Sequence, residues 1–107
     1  MNVNEGKIVF NYLKKKHKKS DLFGLIKSDH ERLAYMEYDA MSQKEREFTL
    51  KNIIISYLVD NYSDSLLFNH VTWSPDKRRY RIMEYAKNKY DTLSAEEYEI
   101  IIDSLLS

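Results

Sequence analysis

Glycine and proline are nearly absent from this chain: two Gly and one Pro in 107 residues. Average usage of the two together is about 12%. A sheet protein turns its chain with residues that accept a positive φ or fix φ, mostly Gly, Asn and Pro. Few such positions exist here, and no Asn-Gly or Asp-Gly pair occurs. Leu, Lys and Glu are plentiful, and all three are good helix formers. The expected fold class is therefore all-α: a compact single-domain bundle of four to six helices over residues 1–107.

Other classes fall to the same inspection. With no Cys, a disulfide scaffold, a Cys-ligated zinc site and a thiol nucleophile are excluded. Neither Gly stands in a phosphate-loop or dinucleotide frame. No apolar run approaches the roughly 18 residues of a membrane span. The N-terminus lacks the apolar stretch and small-residue cleavage site of a secretory signal. A soluble cytoplasmic domain is expected. The abundant Lys, Ile, Asn and Tyr suit an AT-rich coding sequence, so a bacterial or phage source is expected too. A chain of this size buries roughly 60–70% of its unfolded surface. That suffices for one core without metal or disulfide.

Periodicity gives the elements. A first helix is expected over about residues 4–18, with Ile8, Val9, Tyr12 and Leu13 on its inner face. Ser20 and Asp21 offer a cap for a short apolar piece, Leu22 to Ile26. Ser28 and Asp29 offer another, ahead of Glu31 to Met41. There Leu33, Met36 and Ala40 fit a helix stripe, while Ala34, Met36, Tyr38 and Ala40 alternate as a strand would. Residues 22–41 thus stay open between helix and short hairpin.

Ser42-Gln43-Lys44-Glu45 is a capping box. It opens a run to Tyr62 with Phe48, Ile55, Leu58 and Tyr62 on one stripe and Ile54 beside it. This is expected to be the central, most buried helix. A short helix and turn follow, from Asn61 to Trp73. Ser74-Pro75-Asp76 is a helix start: Ser caps, Pro fits the first position, Asp meets the positive end of the dipole. That helix runs through Tyr90 with Ile82, Met83, Ala86 and Tyr90 inward. Ser94-Ala95-Glu96-Glu97 is a second capping box, with Leu93 and Tyr98 spaced as a hydrophobic staple. The last helix is expected to bury Tyr98, Ile101, Ile102 and Leu105.

The zero net charge hides four blocks. Residues 1–19 sum to +5, 20–76 to −5, 77–90 to +5 and 91–107 to −5. Blocks of opposite sign could simply neighbour one another in the fold, each surface pair adding roughly 0–1 kcal/mol. Alternatively a basic block presents a binding patch. The cluster Lys77-Arg78-Arg79-Tyr80-Arg81 stands out. It occupies the first turns of a helix, where each cation is disfavoured by roughly 0.3–1 kcal/mol. A local rule broken in this way often marks function. Trp73 and Tyr80 could stack on bases or pack on a partner. The expected partner-binding residues are Trp73, Lys77, Arg78, Arg79, Tyr80 and Arg81. A secondary basic patch is Lys14, Lys15, Lys16, Lys18 and Lys19. It is explained equally by cations favouring a helix C-terminus. Among the nine tyrosines, Tyr35, Tyr38 and Tyr80 read as surface candidates and Tyr12, Tyr90 and Tyr98 as core edge.

Chemistry is harder to find. His17, His30 and His70 stand alone, without a His-Glu-x-x-His frame, and Glu96 with Glu97 belongs to a cap. No Gly-x-Ser-x-Gly occurs. No catalytic residue, cofactor or metal is expected. The reading is a small non-enzymatic protein that binds a protein partner with an acidic surface, as a regulator, inhibitor or accessory factor. The alternatives are a DNA- or RNA-binding regulator using the 75–90 helix, and a self-assembling module. Oligomeric state stays open.

Overall fold

A computed structural model describes residues 1–19, 27–64 and 72–107. The described residues form five α-helices: α1 (Val3–Lys19), α2 (Lys27–Ala40), α3 (Gln43–Ser63), α4 (Pro75–Asp91) and α5 (Ala95–Leu106). None of the described residues is in a strand, so the all-α expectation holds. The chain forms two compact units, Met1–Lys51 with Ile102–Ser107, and Asn52–Ile101. Both divisions fall within helices.

Helix starts are fixed locally. In both expected capping boxes the Ser hydroxyl accepts from a backbone N–H and the Glu carboxylate accepts from the Ser backbone. Glu45 N donates to Ser42 Oγ at 3.1 Å and Ser42 N to Glu45 Oε1 at 3.2 Å. Glu97 N donates to Ser94 Oγ at 3.1 Å and Ser94 N to Glu97 Oε1 at 3.2 Å. Ser74 caps α4 by accepting from Lys77 N at 3.2 Å, with Pro75 at the first position. A further box opens α1: Glu5 N donates to Asn2 Oδ1 and Asn2 N to Glu5 Oε1, each at 2.9 Å. The Asn2-Val3-Asn4-Glu5 spacing carried that signal in the sequence.

The first unit is built on the pairing of α1 with α2. Ile8, Val9 and Leu13 of α1, Ala34 and His30 of α2, Leu50 of α3 and Ile102 of α5 are buried. Residues 27–40 are helical throughout, which resolves the helix-or-hairpin ambiguity there. This helix begins at Lys27, so Ser28 and Asp29 stand within it and not ahead of it as expected. Asp29 instead sits in the first turn, 3.5 Å from Arg32. The inner face also differs from the expected stripe. Met36 is 61% exposed and Ala40 is exposed, while His30 and Ala34 are buried and Leu33, Glu37 and Tyr38 half-buried. That is an i, i+3, i+4, i+7, i+8 face with polar members. Ala34 is fully buried, and a side chain that small lets a neighbouring helix come close.

Glu37 explains how a carboxylate sits on that face. Its Oε1 accepts from Lys16 Nζ at 2.7 Å and its Oε2 lies 2.7 Å from His17 Nε2. In this unit, charges of opposite sign do neighbour one another. Tyr38 is the second anchor. Its ring meets Phe10 edge-on at 6.4 Å. The Arg46 guanidinium lies 4.1 Å over the same ring. Arg46 also donates to the Tyr38 carbonyl from Nε (3.1 Å) and Nη2 (2.8 Å). No basic residue stands in the last turn of α2, so Arg46 from α3 supplies the cation that a helix C-terminus favours. Tyr38 is therefore half-buried structure, not the surface candidate its sequence context suggested. A Cβ on Gly6 would stand 3.0 Å from the Tyr38 hydroxyl, so the tyrosine packs closely on α1 at that glycine.

The Lys16–Glu37 tie has a pH signature. The donating Lys16 ammonium holds Glu37 below the usual carboxylate range. The same bond holds Lys16 above the ordinary lysine value. A lowered carboxylate stabilises the fold above its unfolded-state pKa and loses that contribution as pH falls through its folded value. A raised lysine contributes below its unfolded pKa and loses this as pH rises through its folded value. The tie is thus fully present between about pH 4.3 and about pH 10.4. Glu37→Gln is expected to cost about 1 kcal/mol or less near neutrality, the pair being part-exposed. The deficit should vanish once both proteins are measured well below about pH 4. Urea unfolding at two pH values checks this, and an equal deficit at both would remove the tie as its cause.

In the second unit Ile54, Ile55 and Leu58 of α3, Ile82 and Ala86 of α4, and Ile101 of α5 are buried. Tyr62 meets Tyr85 edge-on at 4.8 Å. Counting Leu50, α3 carries four buried apolar residues, more than any other described helix, as expected of the most buried element. Phe48 is the exception, 65% exposed. It lies in angular register with Ile55, but it stands on an open groove that it lines with Met41, Glu37, Lys44, Glu45 and Thr49. Tyr12 and Met83, expected inward, are exposed at the margins of their stripes. Leu105, Tyr90 and Tyr98 are half-buried. The expected caps and apolar piece from Ser20 to Ile26, and most of the short element expected from Asn61 to Trp73, lie outside the described residues.

Candidate partner-binding site

α4 places its expected residues by angle. With Ile82 and Ala86 inward, the i−4 position takes Arg78 inward as well. Its guanidinium donates to the Ser63 carbonyl at 2.5 Å, the last residue of α3. A cation at that helix end is favourable for the reason that its own position on α4 is unfavourable. Arg78 thus positions the site, and its spacing from Ile82 and Ala86 signalled as much. Lys77, Arg79, Tyr80 and Arg81 are exposed. Lys77 Nζ lies 5.7 Å over the Trp73 ring, within cation–π range. Arg81 has Glu84 3.8 Å away, one turn along its own helix. Arg79 makes no ion pair among the described residues.

Trp73, Arg81, Glu84, Tyr85 and Asn88 line a cleft of 180 Å³. Trp73 is half-buried and forms one wall; Tyr85, which reasoning from sequence had not singled out, forms another. Small-molecule sites run to about 300–1,000 Å³. This cleft is on the scale of a single side chain.

Within the second unit, none of the acids in residues 91–101 forms an ion pair with Lys77, Arg79 or Arg81 among the described residues. The link of these acids to α4 goes through Lys89, whose ammonium lies 2.5 Å from Glu97 Oε2. Both oxygens of Glu97 are engaged, one by this lysine and one by the Ser94 cap. The bond raises Lys89 and lowers Glu97 from their ordinary values. No described acid other than Glu84 lies within ion-pair distance of Lys77, Arg79 or Arg81. The electrostatics of the two basic blocks therefore differ in kind.

The N-terminal block is partly absorbed by structure. Lys16 and His17 hold Glu37, and Lys14 lies 5.4 Å over the Phe10 ring. Lys15, Lys18 and Lys19 are exposed in the last turns of α1, where the dipole favours them. Among the described residues no group of three or more His, Asp or Glu is placed to hold a metal ion, and no helix is long and apolar enough to cross a membrane. Comparison with family models, curated proteins and solved structures finds no match for this chain.

Proposed function

We propose that this protein is a non-enzymatic binding module that docks the first turns of α4 onto an acidic surface of another protein. It would act as a regulator, inhibitor or accessory factor by covering or bridging that surface. One observation carries the reading: Lys77, Arg79 and Arg81 stand exposed beside an aromatic-walled cleft, with Glu84 as their single ion-pair partner among the described residues. Basic side chains would steer the encounter, and Trp73 with Tyr80 would anchor it.

A protein partner suits this surface better than a phosphate backbone. Asp76 and Glu84 share the helix with the three cations, and fixed acids repel phosphate while leaving room for a mixed-charge protein surface. Trp73 is the single tryptophan, so its emission reports on the site. A poly-glutamate peptide stands in for the acidic surface. It is expected to shift Trp73 emission at low salt in the wild type, and not in Arg79→Glu with Arg81→Glu. Duplex DNA is the counter-test. Binding that falls about 40-fold between about 50 and 200 mM salt, the slope of three phosphate contacts, would transfer the reading to nucleic acid. Silence toward both probes would remove both readings.

A further inference from the structure

The second unit carries, on α5, a surface that complements its own α4 cleft. Ile100 is 64% exposed. It forms one patch with Glu96 and Glu99, at i, i+3 and i+4 on the helix. Both glutamates are exposed and make no ion pair among the described residues. Glu97, which lies nearer the inner side, is consumed by the cap and by Lys89. The patch is therefore an aliphatic knob edged by two free carboxylates. The α4 cleft is its counterpart: Trp73 and Tyr85 form apolar walls, Arg81 lines it, and Lys77 lies over Trp73. Its volume suits one side chain, and Arg81 and the nearby Lys77 outnumber the one acid at its rim, Glu84.

We infer that the occupant of this cleft is Ile100 of a second copy of the chain, with Glu96 and Glu99 of that copy meeting Lys77 and Arg81. The inference rests on the reading of α4 as a docking surface for acids, and it names a partner for that site. Ile100 stands exposed within its own chain, so a copy in solution offers it freely. Each copy bears both knob and cleft. The contact can close reciprocally into a pair or repeat head to tail, and either raises the mass. It is small, hence transient. Self-association would also cover the residues that an acidic partner needs, so the two events compete.

Sedimentation of the full chain tests this from about 20 μM to about 1 mM, a span that reaches weak contacts. In low salt the weight-average mass is expected to rise with concentration toward that of two or more copies, and the rise should weaken in high salt. Ile100→Arg and Arg81→Glu should each hold the chain at the mass of one copy, with an unchanged circular dichroism spectrum, both positions being exposed. Arg81→Glu combined with Glu99→Arg should restore the rise. A wild type that stays single throughout, or a rise that either single substitution leaves intact, overturns the inference. The poly-glutamate response keeps the two readings separate. Ile100→Arg should retain it, since Ile100 takes no part in binding acids. If the wild type stays single yet Trp73 still responds to poly-glutamate, the self-pairing fails and the docking surface stands. If Trp73 does not respond, the docking surface fails with it.

Discussion

Replacing Ile54 by Ala should lower the unfolding free energy by about 2–5 kcal/mol. Ile54 is fully buried, in the row Leu50, Ile54, Leu58 of α3. Truncation removes the transfer free energy of three carbons and leaves a cavity that a helix flanked by β-branched neighbours fills poorly. A domain of ordinary stability has about 5–15 kcal/mol in total, so the loss is a large fraction of it. Phe48→Ala on the same helix is the matched control. Phe48 is larger, yet it lies exposed on a groove and should change stability by about 0.5 kcal/mol or less. Urea unfolding followed by circular dichroism compares the two. Equal losses would mean that α3 is not oriented as described.

The second large effect is on binding. Arg79→Glu with Arg81→Glu should weaken association with an acidic partner by about 100-fold, each reversal replacing an attraction by a like-charge contact. Stability should scarcely move, because both arginines are exposed and neither has an ion pair beyond its own helix among the described residues. Arg78→Glu should behave in the opposite way. It removes the donor to the Ser63 carbonyl and sets a carboxylate against a helix C-terminus, so it should lower stability by about 1.5–3 kcal/mol. Paired titrations and unfolding curves on the two variants separate contact from positioning. A destabilised double variant, or a stable Arg78→Glu that has lost binding, would reverse the roles assigned here.

What the sequence revealed and what it hid follow from the same physics. Helix starts were legible because a cap is a matter of four adjacent residues: Ser42 with Glu45, Ser74 with Pro75, Ser94 with Glu97. The buried rows of α4 and α5 were legible at Ile82, Ala86, Ile101 and Ile102, which recur at helical spacing, although Met83 and Ile100 beside them are exposed. α2 was misread because its inward residues include His30 and Glu37. A carboxylate reads as outward until Lys16 and His17, some twenty positions earlier, are known to meet it. Phe48 was misread because periodicity gives a direction around the axis and says nothing of whether a neighbour covers that point. At the candidate site, the basic cluster was visible as a local anomaly. The inward turn of Arg78 was implicit in its spacing from Ile82, but its acceptor on α3 was not.

The local closure of so many helix starts bears on how fast the chain can organise itself. The first turn is the costly part of making a helix, and in α1, α3, α4 and α5 a side chain from that very stretch ties it off. None of those ties waits for a distant segment to arrive. The pairing of α1 with α2 likewise joins consecutive helices and requires no residue beyond Ala40. That pair has little loop entropy to overcome before contacts reward it, whereas completing the first unit waits for Ile102 to Ser107 at the far end of the chain. On the ribosome, the α1–α2 pair could assemble while the basic turns of α4 are still being made. The binding surface would then be the late arrival on a scaffold already begun.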